Sequence, residues 1–370
     1  MKSTRALLLL ILTLGACGST ASSSIDATAT TPVDAASGPD ARGNHEAIFA
    51  RYGAIETIAG IGQIEGKGDN GWQSGFEGGA AVDAELSRPH IAEADGEGNV
   101  FVVDKDAHAI RKIDADGRIS TIAGTSSAGN SGDGPLSATE MQLSAPNGLW
   151  LGTDGTLYVL DLGNDVVRRI REGTMQSLFA IGGAGTGRGL WVADDENLAY
   201  VAAGSTLKRW TPQGGIEAFA TGFVSLGNFF VLPSGELLVA DRGGHRVYRV
   251  TTAGVKTPIA GNGARTGGGD GQAALSTGLD EVRGVWGHPD GGYFVATHKG
   301  GQVWYVDGAG VIHLFVDGDA DDSHAGDGLP FDDPEVRISE PRAVTVDPIG
   351  NVLITEHDGG FIRRVIYSAP

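Results

Sequence analysis

The most constraining feature of this chain is a repeat. A stretch from Arg88 to Gly124 reads as four short strands, Ile91–Ala94, Val100–Val103, Ala109–Ile113 and Ile119–Ile122. Between them lie the turn-forming stretches Asp95-Gly96-Glu97-Gly98-Asn99 and Asp114-Ala115-Asp116-Gly117, whose glycines supply positive φ. The strands are rich in Val, Ile and Phe, the residues of a pleated, half-buried surface. An isolated four-stranded sheet cannot cover both of its faces, so it needs copies of itself to stack against.

The chain supplies the copies. Aligning the end of the second strand places Asp104, Asp161, Ala202, Asp241, Thr297 and Glu356 in one position. Gly98, Gly155, Glu196, Gly235, Gly291 and Gly350 stand six residues before them. Third strands such as Ile110-Arg111-Lys112, Val167-Arg168-Arg169 and Ile362-Arg363-Arg364 follow. The sixth copy stops after its third strand, at Val365-Ile366-Tyr367-Ser368, and an orphan strand at 54–60 resembles a fourth strand without its first three. A ring of six sheets closed by that N-terminal strand leaves no open end. The expected fold is therefore all-β, a six-bladed β-propeller over residues 51–370 whose last blade borrows strand 54–60. The 60 glycines and recurrent Asp-Gly pairs agree with many tight turns.

These residues resemble the NHL-repeat family of β-propellers. The likeness rests on Arg342-Ala343-Val344-Thr345-Val346-Asp347, Gly98-Asn99-Val100-Phe101-Val102-Val103-Asp104 and Asp241-Arg242-Gly243-Gly244-His245-Arg246-Val247. Gly-Asp-Gly connectors, frequent in that family, recur at Gly132-Asp133-Gly134, Gly269-Asp270-Gly271 and Gly326-Asp327-Gly328. Long connectors lead into blades 1, 2, 5 and 6, and short ones into blades 3 and 4. The long ones are expected to decorate the face they share with the loops between second and third strands, where a ligand site would sit.

Ahead of the repeats, Lys2 and Arg5 precede an apolar run, Ala6 to Leu14, too short to span a bilayer as a mature helix. Leu14-Gly15-Ala16-Cys17 follows and resembles the lipobox of bacterial lipoproteins; Cys17 is the sole cysteine, so no disulfide framework exists. Residues 1–16 are thus expected to be a signal peptide and Cys17 the lipidated N-terminus. Residues 17–50 form a Ser/Thr/Ala/Asp/Pro-rich tether ending in a short helical or irregular lead-in. Gly18 is not the aspartate associated in that family with inner-membrane retention, which points to an outer-membrane lipoprotein. The net charge of −19 argues against nucleic acid, whose phosphates need a basic face.

Candidate chemistry clusters at the channel mouth. The aligned slot near the start of the inner strand holds His90, Asn147, Arg188, Gly227, Arg283 and Arg342; its arginines could grip a carboxylate or phosphate, or pair with neighbouring blades. The zinc-dependent amidating lyase of this superfamily is similar in its Pro-His slots, but only Pro89-His90 matches here. His298 and His357 occupy equivalent positions in adjacent blades, and with His90 and Glu356 they are the candidate ligands of a zinc or calcium ion. Pro146-Asn147-Gly148 is similar to a motif of calcium-dependent lactonase propellers, in which the Asn is a metal ligand. The aspartates of 317–322 depart from an EF-hand loop at its sixth and twelfth positions, Asp322 and Gly328. His108 and His245 share a slot on opposite blades and read as loop residues. Trp150, Trp191, Phe230 and Trp286 share a position in the inner strand that Glu93 and Thr345 fill in the remaining blades; an aromatic platform for a glycan or peptide is one reading, inter-blade packing the other, and Glu93, a carboxylate in an aromatic slot, is either functional or paired with an arginine such as Arg342. No complete catalytic set is legible. The sequence therefore reads as a monomeric, membrane-anchored scaffold for a protein, peptide or glycan, with a metal-dependent hydrolase or lyase as the alternative.

Overall fold

The computed structural model describes residues 44–64, 66–318 and 323–368. Cys17, the expected signal peptide and most of the expected tether lie outside the described residues, as do residues 319–322 of the acidic loop. Six antiparallel four-stranded blades stand in a ring. Blade 1 is Pro89–Ala94, Val100–Asp104, Ala109–Ile113 and Ile119–Ala123. Its five successors begin with the inner strands Gly148–Leu151, Leu190–Val192, Leu226–Val231, Val282–Gly287 and Pro341–Val346. These inner strands touch in order around the axis, and the sixth returns to the first. Apolar clusters fill the spaces between neighbouring blades: Ile91 and Val103 of blade 1, for example, share one with Leu149 and Val159 of blade 2. Each sheet thereby buries both faces, as the argument from an isolated sheet required.

The ring closes where expected. Tyr52–Ala59 pairs with Phe361–Tyr367 as the outermost strand of blade 6, in a register that sets Ile55 opposite Val365 and Glu56 opposite Arg364. A short helix, Asn44–Phe49, precedes it. Its Ile48 is buried in the adjoining core, and Phe49 packs against Phe315 and Phe331.

The long connectors meet the loops between second and third strands, as expected: Gly68 N donates to Asp106 Oδ2 at 2.8 Å, and Asn164 Nδ2 donates to Gly129 O at 2.8 Å. They also run down the rim and pair with the outermost strand of the blade they enter. Leu136–Ser137 pairs with Thr174 and Met175 in blade 2, and Gln272–Ala273 with Val311 and Ile312 in blade 5. Gly78 and Gly79 exchange hydrogen bonds with Ile119 in blade 1, and Gly328 and Leu329 with Ile55 in blade 6. The physical reason is the outer edge itself, a row of backbone N–H and C=O groups that needs partners. The Gly-Asp-Gly aspartates fasten this contact: Asp133 accepts from Ser177 Oγ at 2.7 Å, Asp270 from Leu314 N at 2.9 Å, and Asp327 from Thr57 Oγ1 at 3.0 Å. Blades 3 and 4, entered by short connectors, keep bare edges; that of blade 4 carries Lys256 and Pro258, which discourage a further strand.

Inside three blades lies a latch. Asp161 accepts from Ser144 N at 2.7 Å and from Arg168 Nε at 3.1 Å; Arg168 in turn donates to Gly132 O at 2.6 Å and Asn130 Oδ1 at 3.1 Å in the connector. Asp104 and Arg111 repeat the carboxylate–guanidinium pair at 3.0 Å, and Trp72 of the connector covers the guanidinium with its ring centre at 3.6 Å. Glu356 and Arg363 do the same in blade 6.

Candidate ligand site at the channel mouth

The inner strands begin at the loop-bearing end of the axis, so their first residues converge there. His90, Asn147, Arg188, Arg283 and Arg342 line one narrow space, as the alignment anticipated for these five. Gly227 has no side chain to offer, and the sixth contributor is its neighbour Asn228, at the position from which Ile91 and Ala343 also line the space in blades 1 and 6. The same one-residue bulge interrupts the pairing of inner and second strands in blades 1, 4, 5 and 6.

The mouth brings several arginines together in a chain of net charge −19. Arg188 has no partner for Nε or Nη1 among the described residues, and Arg342 Nε likewise has none. Burial, with the charges of Arg283 and Arg242 next, pushes the Arg188 guanidinium down to about 9. Burial, followed by the charges of Arg188, Arg283, Arg88 and Arg242, lowers Arg342 as well. Cations held together out of water, with N–H groups unspent, form a socket for an anion. Asn147 donates to Gly187 O at 2.5 Å and leaves its Oδ1 without a partner.

The histidines divide. His357 donates from Nδ1 to Pro89 O at 3.0 Å, leaving Nε2 to accept from Arg88 Nε at 3.2 Å, so it is neutral with a fixed tautomer. His90 stacks edge-on against it, ring centres 4.6 Å apart, with Nε2 unpartnered. Burial lowers both well below the usual imidazole value. His298 turns elsewhere, its Nε2 lying 2.9 Å from Glu340, 3.0 Å from Arg342 Nη2 and 3.5 Å from Asp358. Glu356 does not join them. Its Oε2 accepts from Ser339 N at 2.9 Å and Oγ at 2.8 Å and lies 3.0 Å from His324 Nδ1, so it serves the latch of blade 6. The set His90, His298, His357 and Glu356 therefore does not converge on one point. Among the described residues the group that does is His298, Glu340 and Asp358, with ligand atoms within 4.8 Å of one another. Protein cations already sit on its carboxylates, Lys299 on Glu340 and Arg88 on Asp358.

Sequence alignment missed Arg88, Glu281 and Glu340. Each stands two residues before the slot and holds a left-handed backbone, φ 59°, 55° and 30°, which places a charged side chain at the mouth. Such conformations cost energy in residues other than glycine and mark positions where geometry matters. Glu281 clamps Arg283, accepting from Nη2 at 2.6 Å and Nε at 3.2 Å. His108 and His245 bind backbone instead: each Nδ1 accepts from the next blade, from Ala145 N at 3.0 Å and Glu281 N at 3.2 Å.

At the opposite end of the channel, Trp150, Trp191, Phe230 and Trp286 pack against one another, ring centres 4.9 to 6.3 Å apart. Glu93 is not paired with Arg342; its Oε2 accepts from Leu151 N at 2.9 Å.

Comparison with known proteins agrees with this architecture. Residues 50–267 match the Teneurin NHL domain family. Teneurin-3 of Danio rerio is 36% identical over 112 residues, 27% of this chain but 4% of that protein. Teneurin-1 of Gallus gallus is 36% identical over 109 residues, 28% of this chain and again 4% of its own length. Thus the chain matches only a small part of these relatives. Among solved structures, a structural genomics protein of unknown function from Bacteroides thetaiotaomicron superposes with a TM-score of 0.65 at 16% identity, covering 84% of this chain and 75% of that one. An auxiliary nutrient binding protein from the same organism gives 0.62 at 13%, covering 85% and 76%. A streptogramin B lyase gives 0.53 at 13%, covering 78% and 96%. At these identities the likeness is one of fold.

Proposed function

The chain belongs to the Teneurin NHL domain family, an NHL-repeat β-propeller, and from that premise we propose that it is a lipid-anchored binding protein of the cell envelope whose channel mouth takes an anionic group of a protein, peptide or glycan ligand. The supporting observation is the socket itself: Arg342, buried, and Arg188, partly buried, crowded by like charge and with unspent N–H donors, in a chain of net charge −19. A carboxylate, sulfate or phosphate entering there accepts those donors and relieves the repulsion. The Cys17 lipid and the tether that follows would hold the propeller off an outer membrane. The nutrient-binding description of one fold neighbour is compatible with this reading.

The test titrates sulfate and phosphate against the soluble fragment from Asn44, following its melting temperature. The reading expects a rise with either anion beyond that given by chloride at equal ionic strength, abolished in both Arg342→Met and Arg188→Met. Equal responses to all three salts would remove it. For the anchor, Cys17→Ser should release the full chain from the membrane fraction.

A second reading has its own observation, the convergence of His298, Glu340 and Asp358. One imidazole and two carboxylates suit a divalent ion, and the arginines beside them would orient an anionic substrate for hydrolysis or elimination. Metal content after dialysis separates the readings: near one equivalent, lost in His298→Ala, supports the metal site, and none excludes it.

A further inference from the structure

We propose that the far end of the channel is a second and separate binding site, one that takes a small organic ammonium group between the Glu93 carboxylate and the rings of Trp150, Phe230 and Trp286. The argument starts from the ring of six equivalent positions in the inner strands. Four carry large aromatics, which meet at the axis; Trp150 of blade 2 and Trp286 of blade 5 come from opposite sides and stand 6.3 Å apart. The other two, in adjacent blades 1 and 6, carry Glu93 and Thr345. Where these smaller side chains stand, the aromatic layer has a gap, and a cavity of about 520 Å³ opens there toward the loops between first and second strands. That volume lies within the range of small-molecule sites.

The wall chemistry selects the ligand. Glu93 is 5% exposed, and its Oε1 is buried without a partner. Thr345 cannot supply one, because its hydroxyl donates to Ala92 O at 2.7 Å. No basic residue lines the cavity, so an anion finds no partner there. A sugar ring needs several convergent polar groups, yet among the described residues the buried unpartnered ones on this wall are Glu93 Oε1 and the indole N–H of Trp150. An ammonium with apolar substituents uses both what is unspent and what is abundant: a carboxylate for its charge and aromatic faces for its bulk.

Burial pushes the free Glu93 carboxyl up to about 8, opposed by the Leu151 N–H. The other titratable group lining the cavity is Asp95, whose Oδ1 accepts from Glu97 N and Asn99 N at 2.9 Å each and whose Oδ2 accepts from Asn99 Nδ2 at 2.7 Å. An entering cation therefore meets a protonated Glu93 at neutral pH and binds as that proton leaves. Affinity should climb as pH rises toward about 8 and level off above it.

The experiment uses the fragment from Asn44 and two probes of equal shape, choline and its neutral analogue with carbon in place of nitrogen. Binding is read by tryptophan fluorescence and by calorimetry at several pH values. Choline should bind about tenfold or more tightly than the neutral analogue at alkaline pH, with proton release near neutrality. Glu93→Gln should erase the preference and the proton release while leaving the melting profile cooperative. Trp286→Leu should weaken both probes, and Arg342→Met should change neither, since it stands at the other end. Equal binding of the two probes, an unchanged preference in Glu93→Gln, or no binding of choline at millimolar concentration would each overturn the assignment.

Discussion

Two regions of this molecule bury arginines, and they do so for opposite ends. In the latches of blades 1, 2 and 6, Arg111, Arg168 and Arg363 are among the most deeply buried side chains, yet each faces a carboxylate at the end of the second strand. Arg168 and Arg363 also donate to connector carbonyls, although Arg363 keeps its Nε without a partner. At the channel mouth, Arg342 is buried and Arg188 partly buried, three of their nitrogens have no partner, and the strongest charges acting on them are other arginines. Burial alone thus says little about an arginine's role. What separates a structural cation from a binding one is whether the fold itself supplies the countercharge.

The comparison can be broken most forcefully at a latch. Arg168→Met leaves Asp161 buried without its cation and frees the 125–145 connector, and should cost about 3–5 kcal/mol in denaturant unfolding. At the mouth the same substitution should have the opposite sign. Arg342→Met exchanges a crowded, poorly partnered cation for an apolar chain, and in buffer free of multivalent anions should stabilise by about 1 kcal/mol. Should both variants lose stability alike, the distinction between the regions falls.

A third probe asks whether a buried carboxylate at the far end obeys the same logic. Glu93 titrates at an ordinary 4.5 when unfolded and at about 8 when folded, so between those values the folded state keeps a proton that the unfolded state has released. Stability therefore falls as pH rises through that window and is flat above it. Glu93→Gln lacks the loss: its melting temperature should match the parent below about pH 4.5 and exceed it increasingly up to about pH 8. The smallest effect belongs to an arginine in neither region. Arg171 pairs with Asp154 at 3.0 Å on the surface, both about half exposed, and Arg171→Ala should cost under about 1 kcal/mol.

These contrasts also mark how far the sequence could be read. The blades were legible because strand and turn chemistry repeat with a shared slot, and the closing strand because one copy lacked what an orphan segment offered. Asp104, Asp161 and Glu356 stood out in the alignment, but their purpose did not, since it depends on serine amides in connectors that no period constrains. Five mouth residues followed from the slot. Asn228 was hidden because the slot fell on Gly227, which has no side chain, and Arg88, Glu281 and Glu340 by left-handed backbone at positions where glycine would be expected. Glu93 was visible as an anomaly among aromatics. The cavity beside it was not, because its size is set by which residues face one another across the axis, a property of the closed ring alone.

The seam of that ring has a consequence for how the molecule is made. Glu56 and Arg364, partners across the closing pair of strands, are 308 positions apart in the chain. During synthesis the first of these strands leaves the ribosome long before the second exists, so five blades can assemble while the sixth waits. Until Phe361–Tyr367 arrives, Tyr52–Ala59 presents an unpaired edge to any strand it meets. A nascent chain of this kind needs its early strand shielded, and one terminated even a dozen residues short has no circular form to reach.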